Sequence, residues 1–132
     1  MKFSLDSGSG SYAITACGAD GVRVNGVLHT VGLVVMPDLL VEAWAPPSVA
    51  ALTAEHLIEL LDGQQPDVLL LGSGARQCFP ERTVLRACAE RGVGIEVMDT
   101  AAACRTYAVL MAEGRRVMAA LIVDWTDGEA QP

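Results

Sequence analysis

Residues 98–122, MDTAAACRTYAVLMAEGRRVMAALI, form an almost wholly apolar run with charged residues near the ends of its predicted elements. Asp99 and Thr100 are residue types that cap the start of a helix, and Gly114 is of the type that ends one. Residues 117–123 are apolar at every position, which is typical of a strand covered on both faces. The stretch therefore predicts a helix followed by an interior strand.

The same alternation of strand and helix extends upstream through the second half of the chain. Residues 68–71 (VLLL) and 95–98 (IEVM) predict strands, and helices are predicted over residues 80–91 and 100–113. Glu96 places a charge inside the second of these strands, which favours a position nearer the edge of the sheet. Such alternation requires crossover connections and therefore indicates a parallel sheet.

The first half of the chain is predicted to be rich in β-structure. Residues 22–29 carry Asn25-Gly26 between two short apolar runs, which is a strong signal for a two-residue hairpin. Further strands are predicted over residues 12–17, 29–36 and 39–44. After these strands, a helix capped by Thr53 is predicted to run to about Leu61. We expect the strands of this half to pair in one antiparallel sheet of three or four strands.

Length and composition favour one compact domain. The chain has 132 residues, of which 52% are hydrophobic, and a domain near this size buries roughly two-thirds of its unfolded surface. We expect a single domain over residues 1–132, with loose termini at about residues 1–11 and 124–132. The sequence contains no run of about 20 apolar residues. We therefore expect a soluble cytoplasmic protein with no integral membrane segment.

The charge distribution argues against nucleic acid as a partner. The formal net charge is -7 at pH 7, whereas nonspecific nucleic-acid binding relies on clustered cations. Most of the excess negative charge lies in the first half, because the second half holds seven of the nine cations, all of them arginine. Arginine suits bidentate contacts with carboxylate or phosphate, so this bias indicates either anion recognition or the composition of the source genome.

The cysteines and histidines are too widely spaced to predict a metal centre or a disulfide framework. We expect no metal, no cofactor and mainly buried free thiols. Cys78 is expected to be the most exposed thiol. Cys104 lies near the positive end of a predicted helix, but it shares an apolar helix face with Tyr107, so core packing is favoured over reactivity. The full set is Cys17, Cys78, Cys88, Cys104, His29 and His56.

A glycine-containing loop follows the first predicted strand of the parallel sheet. Residues 72–74 (GSG) lie where the carboxyl ends of parallel strands open a crevice and where glycines let backbone amides approach an anion. The final glycine of a dinucleotide fingerprint and a Walker lysine are both missing. Both a structural turn, which is the preferred interpretation, and contact with a small anion remain open.

Polar residues at the next strand end extend this candidate pocket. Asp99 and Thr100 are interpreted first as helix-capping residues. Arg105 is a permanent cation among residues that prefer burial, so it needs an anionic or hydrogen-bonding partner, either a ligand or a neighbouring acid. The candidate ligand-binding residues are Gly72, Ser73, Gly74, Arg76, Asp99, Thr100 and Arg105. No catalytic set is predicted.

Four short motifs resemble one known family. Residues 69–80 (LLLGSGARQCFP), 97–100 (VMDT), 103–107 (ACRTY) and 113–117 (EGRRV), in this order and spacing, resemble the Mth-type family of conserved hypothetical proteins. That family includes the mitochondrial assembly factor 3 of respiratory complex I. The resemblance implies a mixed α/β fold of three layers, in which N-terminal antiparallel strands pack on a largely parallel sheet with helices on its other face. Ala108 departs from the family, which usually has Asn there.

Two hypotheses about function follow. The first is a noncatalytic binding or assembly protein with a protein partner, because no catalytic constellation accompanies the compact domain and the family includes an assembly factor. The second is a small-molecule or anion site at the strand ends, with or without enzymatic activity. A redox role for Cys78 or Cys104 is a third and weaker alternative.

Overall fold

The computed structural model describes residues 11–124. The predicted loose termini therefore lie almost wholly outside the described residues. The elements are β1 (Ile14–Gly18), β2 (Gly21–Val24), β3 (Val27–His29), β4 (Leu33–Met36), β5 (Leu39–Val41), a 3-10 turn (Val49–Ala51), α1 (Ala54–Leu61), β6 (Val68–Gly72), α2 (Arg82–Glu90), β7 (Gly94–Met98), α3 (Thr100–Ala112) and β8 (Val117–Leu121).

The strands form two sheets. The first is a three-stranded antiparallel sheet in the order β1-β2-β3, and the second has five strands in the order β5-β4-β8-β6-β7. Strands β8, β6 and β7 are parallel, whereas β4 pairs antiparallel with both β8 and β5. The mixed α/β fold and the edge position of β7 are thus confirmed. The prediction of one antiparallel sheet for the first half is wrong, because β4 and β5 extend the parallel sheet instead.

Gly32 marks the point where the chain leaves one sheet for the other. The predicted strand over residues 29–36 is interrupted at residues 30–32, and the predicted strand over residues 39–44 ends at Val41. A Cβ at Gly32 would lie 3.0 Å from the Trp44 carbonyl oxygen and 3.2 Å from that of Leu121. The Trp44 N–H donates to the Gly32 carbonyl at 2.8 Å. This close backbone packing ends the first sheet and brings β4 alongside β8.

The hairpin between β2 and β3 is confirmed. Val24 pairs with Val27 across the turn, and the two turn residues Asn25 and Gly26 have φ values of 50° and 84°. A type I′ turn requires positive φ at both positions, which Asn and Gly adopt at low cost. The residue types of the turn therefore account for the local conformation.

The five-stranded sheet separates two core layers. Alternate residues of β6 face opposite sides, so Leu69 and Leu71 belong to one layer and Leu70 to the other. The first layer is completed by α1 and α2, and the second by β2 and α3. Because both faces are covered, the interior strands are apolar at every position, as their sequences predict.

Helix α3 occupies the same face as the three-stranded sheet. The connection from β6 to β7 through α2 and the return from β7 past β6 to β8 through α3 run in opposite directions across the sheet. Since such crossovers are nearly always right-handed, the two helices lie on opposite faces. The family resemblance implied helices on the far face only, so α3 differs. Its Tyr107 hydroxyl donates to the Tyr12 carbonyl at 2.7 Å and ties it to the N-terminal layer.

Candidate functional site

The glycine loop at the end of β6 packs directly against the start of α3. The Thr100 side chain is fully buried, and its Oγ1 donates to the Ile122 carbonyl at 2.6 Å and accepts from the Gly74 N–H at 2.9 Å. The Thr100 N–H in turn donates to the Gly74 carbonyl at 2.9 Å. Thr100 thus connects the ends of β6 and β8 to the helix, a role that the sequence did not indicate.

Ser73 has a similar role within the loop. It is 4% exposed, and its hydroxyl oxygen lies 2.6 Å from the Arg76 carbonyl oxygen and 3.1 Å from that of Met98. The same oxygen accepts from the Cys78 N–H at 3.0 Å. The Arg76 side chain itself is exposed. The hydroxyl of Ser73 therefore holds the shape of the loop.

The glycines of the loop are explained by close packing. A Cβ at Gly72 would lie 2.9 Å from Thr100 Oγ1, and one at Gly74 would lie 3.0 Å from the Asp124 carbonyl oxygen. Gly74 in addition has a φ of 102°, a conformation that favours glycine. Asp99 is a helix cap as predicted, because its Oδ1 accepts from the Ala102 N–H at 2.8 Å. The structure thus brings five of the seven candidate residues together, joined by contacts within the protein.

Arg105 lies apart from the glycine loop. It is exposed, and among residues 11–124 it forms no ion pair with an acid. It lines a cavity of about 290 Å³ between β1 and α3, together with Cys17 and Cys104. Ala108, the position where the family usually has Asn, also lines this cavity and presents a methyl group there.

Cys17 and Cys104 are neighbours across this cavity. The hydrogen bond between the two thiols, helped by the Arg105 charge, lowers the pKa of Cys17 against the opposing effect of burial. The same hydrogen bond and burial raise the pKa of Cys104. Sequence reasoning missed this pair, because residues on a strand and a distant helix carry no local signal of their contact.

The other two thiols differ in environment. Cys78 is exposed, as predicted. Cys88, by contrast, lies on α2 and is buried in the core layer that α2 shares with α1, and desolvation raises its pKa. Within the described part of the chain, no three side chains of His, Cys, Asp or Glu are grouped so that they could hold a metal ion. Over the same residues, no helix is both long and apolar enough to cross a membrane.

A second cavity of about 410 Å³ opens as a groove beside the end of β8. We call it the Trp44 groove. Val31, 54% exposed, lies on one side, and the Trp44 side chain, 8% exposed, forms part of the wall. The remaining lining residues are mostly apolar as well, namely Thr30, Gly32, Ala45, Pro46, Pro47, Val123 and Asp124.

Part of the chain is similar in sequence to a known assembly factor. The chain is 41% identical over 75 residues to the NADH dehydrogenase (ubiquinone) 1 alpha subcomplex assembly factor 3 of Danio rerio. The match covers 57% of this chain and 41% of that protein, so the chain spans less than half the length of this relative.

Solved structures share the fold over nearly the whole chain. The crystal structure of a Bordetella parapertussis protein is 38% identical with a TM-score of 0.83, and the match covers 89% of this chain and 100% of that one. The solution structure of a Mth938-like domain from Bordetella pertussis is 31% identical with a TM-score of 0.76, covering 100% of this chain and 99% of that one. A family model described as "Protein of unknown function (DUF498/DUF598)" matches residues 14–122. The chain therefore belongs to the DUF498/DUF598 family, as its resemblance to Mth-type proteins indicated.

Proposed function

We propose that this chain is a noncatalytic, cytoplasmic protein-binding module of the assembly-factor type. Its similarity to an assembly factor supports a protein partner. The polar groups at the strand ends support the same conclusion, because Ser73, Asp99 and Thr100 form hydrogen bonds within the protein instead of facing an open catalytic pocket. Free thiols persist in the reducing cytoplasm, which accords with the proposed location.

The observation that carries this proposal is the Trp44 groove. An apolar groove with one exposed hydrophobic side chain, Val31, at its edge suits a partner that inserts an apolar anchor residue, as protein interfaces commonly do. Val31 is the most exposed large apolar side chain among its lining residues. We therefore place the partner-binding surface at this groove.

Replacing Val31 by aspartate is expected to reduce partner recovery by about tenfold or more, since a charge would then be buried against an apolar anchor. The measurement is capture of the tagged full chain from cells of its source, followed by quantification of the recovered proteins. Val27→Asp is the matched control, because Val27 is 60% exposed on β3 and lies outside the groove. Equal recovery of one defined partner by wild type and Val31→Asp would contradict the placement, and repeated recovery of nothing above background would contradict the function.

Arg105 supports a second candidate function, the binding of a small anion. Its guanidinium is exposed beside a cavity and forms no ion pair among residues 11–124, so it is available to a carboxylate or phosphate. The glycine-loop pocket of Gly72, Ser73, Gly74, Arg76, Asp99 and Thr100 is the alternative place for such an anion. The two places differ in the arginine that each would use.

A thermal-shift panel of inorganic phosphate, nucleotides, coenzyme A and dicarboxylates distinguishes these places. A ligand at a hundred times its Kd should stabilise the folded protein by about 2.7 kcal/mol. We expect Arg105→Ala to abolish the shift and Arg76→Ala to retain it. The opposite pattern would assign the anion to the glycine loop, and no shift of the wild-type protein by any compound would refute anion binding of these classes.

A further inference from the structure

Two thiols that neither proposed function uses meet inside the cavity between β1 and α3. Cys17 is half-buried on β1, and Cys104 is 4% exposed on α3. Both line the cavity of about 290 Å³ next to the exposed Arg105. The cavity therefore gives a small solute access to the half-buried Cys17 thiol, and the buried Cys104 thiol lines the same cavity.

The surroundings of the two thiols differ in a chemically useful way. The neighbouring Cys104 thiol, through its hydrogen bond to Cys17, lowers the pKa of Cys17 against the opposing effect of burial, and the Arg105 charge acts in the same direction as Cys104. Asp20 and Asp99 oppose this effect through their negative charges. The hydrogen bond to Cys17 and, after it, burial raise the pKa of Cys104. Cys17 is thus suited to react first, because the thiolate is the nucleophilic form of cysteine.

We propose that Cys17 and Cys104 form a peroxide-sensitive dithiol that closes reversibly to a disulfide. The Cys17 thiolate attacks a hydroperoxide, so that an S–O bond forms, the O–O bond breaks and the leaving oxygen takes up a proton. The Cys104 sulfur then attacks the sulfenic sulfur of Cys17, the S–O bond breaks, and the departing hydroxide and the Cys104 proton make water. With hydrogen peroxide, the two thiols lose two electrons and two protons and the peroxide becomes two waters.

Closure of this disulfide would join the N-terminal sheet covalently to α3. It encloses the segment from residue 17 to residue 104, which includes β4 to β7. A crosslink over a long segment restricts the unfolded chain strongly, so the oxidised protein should unfold at a higher temperature than the reduced protein. The inference does not depend on partner binding or on anion binding.

The direct test is oxidation of the full reduced chain with a small excess of hydrogen peroxide, followed by proteolysis and mass spectrometry without reduction. We expect a peptide pair joined through Cys17 and Cys104, which disappears after treatment with dithiothreitol. The Cys78→Ser variant should give the same pair, because Cys78 is exposed and lies outside the cavity. Oxidation confined to Cys78, or a disulfide that joins Cys17 to another cysteine, would overturn the proposal.

Two substitutions test the order of the steps. In Cys104→Ser, which keeps a hydrogen-bond donor beside Cys17 but cannot form the disulfide, the Cys17 sulfenic acid should accumulate and be trapped by dimedone. Cys17→Ser should leave Cys104 unoxidised. Arg105→Gln should slow the oxidation of Cys17 severalfold at neutral pH, and the rate should rise with pH at a midpoint above that of wild type. Oxidation of Cys104 in Cys17→Ser, or an unchanged rate and pH midpoint in Arg105→Gln, would contradict the proposed roles.

Discussion

Thr100→Val is expected to destabilise the protein by about 2–4 kcal/mol, because each buried polar group left without a partner costs about 1–3 kcal/mol. The substitution keeps the β-branched shape of the side chain and replaces its hydroxyl with a methyl group, which can neither donate nor accept a hydrogen bond. Two groups then lose their partner, the Ile122 carbonyl at 2.6 Å and the Gly74 N–H at 2.9 Å. The fully buried position leaves no room for water to replace the hydroxyl.

The measurement is urea denaturation with linear extrapolation of the free energy of unfolding. Thr106→Val is the matched control on the same helix, because the Thr106 hydroxyl makes only a 3.5 Å contact with the Met98 sulfur and is partly exposed. We expect the control to change stability by less than about 1 kcal/mol. A Thr100→Val variant as stable as Thr106→Val would mean that the hydroxyl does not hold the strand ends together.

Gly72→Ala is expected to cost about 2–3 kcal/mol through overpacking. The new methyl group would lie 2.9 Å from Thr100 Oγ1, 3.0 Å from Leu121 Cδ2 and 3.1 Å from Thr100 Cα. The last of these contacts is to backbone at the start of α3, so a side-chain rotation cannot relieve it. The helix would have to move away from the sheet, and the hydrogen bonds of Thr100 would weaken with it.

Gly94→Ala provides the matched control for this substitution. Gly94 lies at the start of β7, and a Cβ there would meet nothing within 4 Å. Alanine should therefore leave the folded state unstrained and gain about 0.4–1 kcal/mol by restricting the unfolded chain. Opposite signs for the two substitutions in the same urea assay are the expected result. A neutral Gly72→Ala would mean that the loop has space at this point, which would favour the anion-binding interpretation of the glycine loop.

Together these substitutions test two explanations for the glycine and small polar residues at the strand ends, namely contact with an anion and packing in a structural turn. The sequence was compatible with both explanations. The contacts of Gly72 and Thr100 with each other supply a packing reason for both residues. The contacts at the strand ends do not explain Arg105, because it is exposed and lines the cavity between β1 and α3.

The sequence by itself determined most of the local structure. The Asn25-Gly26 turn, the Asp99 cap and the extent of α3 follow from interactions among residues close in the chain, and each was predicted close to its observed position. The apolar strands β6 and β8 were predicted as interior strands for a related reason, because burial on both faces requires apolar residues at every position.

Only the tertiary structure decided which elements meet. The passage of β4 into the second sheet depends on the backbone contacts of Gly32 with Trp44 and Leu121, and the fit of Gly72 against Thr100 depends on the position of α3. The meeting of Cys17 with Cys104 likewise joins residues 87 positions apart in the sequence. Sequence patterns report which face of an element is buried but not which other element covers it, because that choice is made by packing between distant segments.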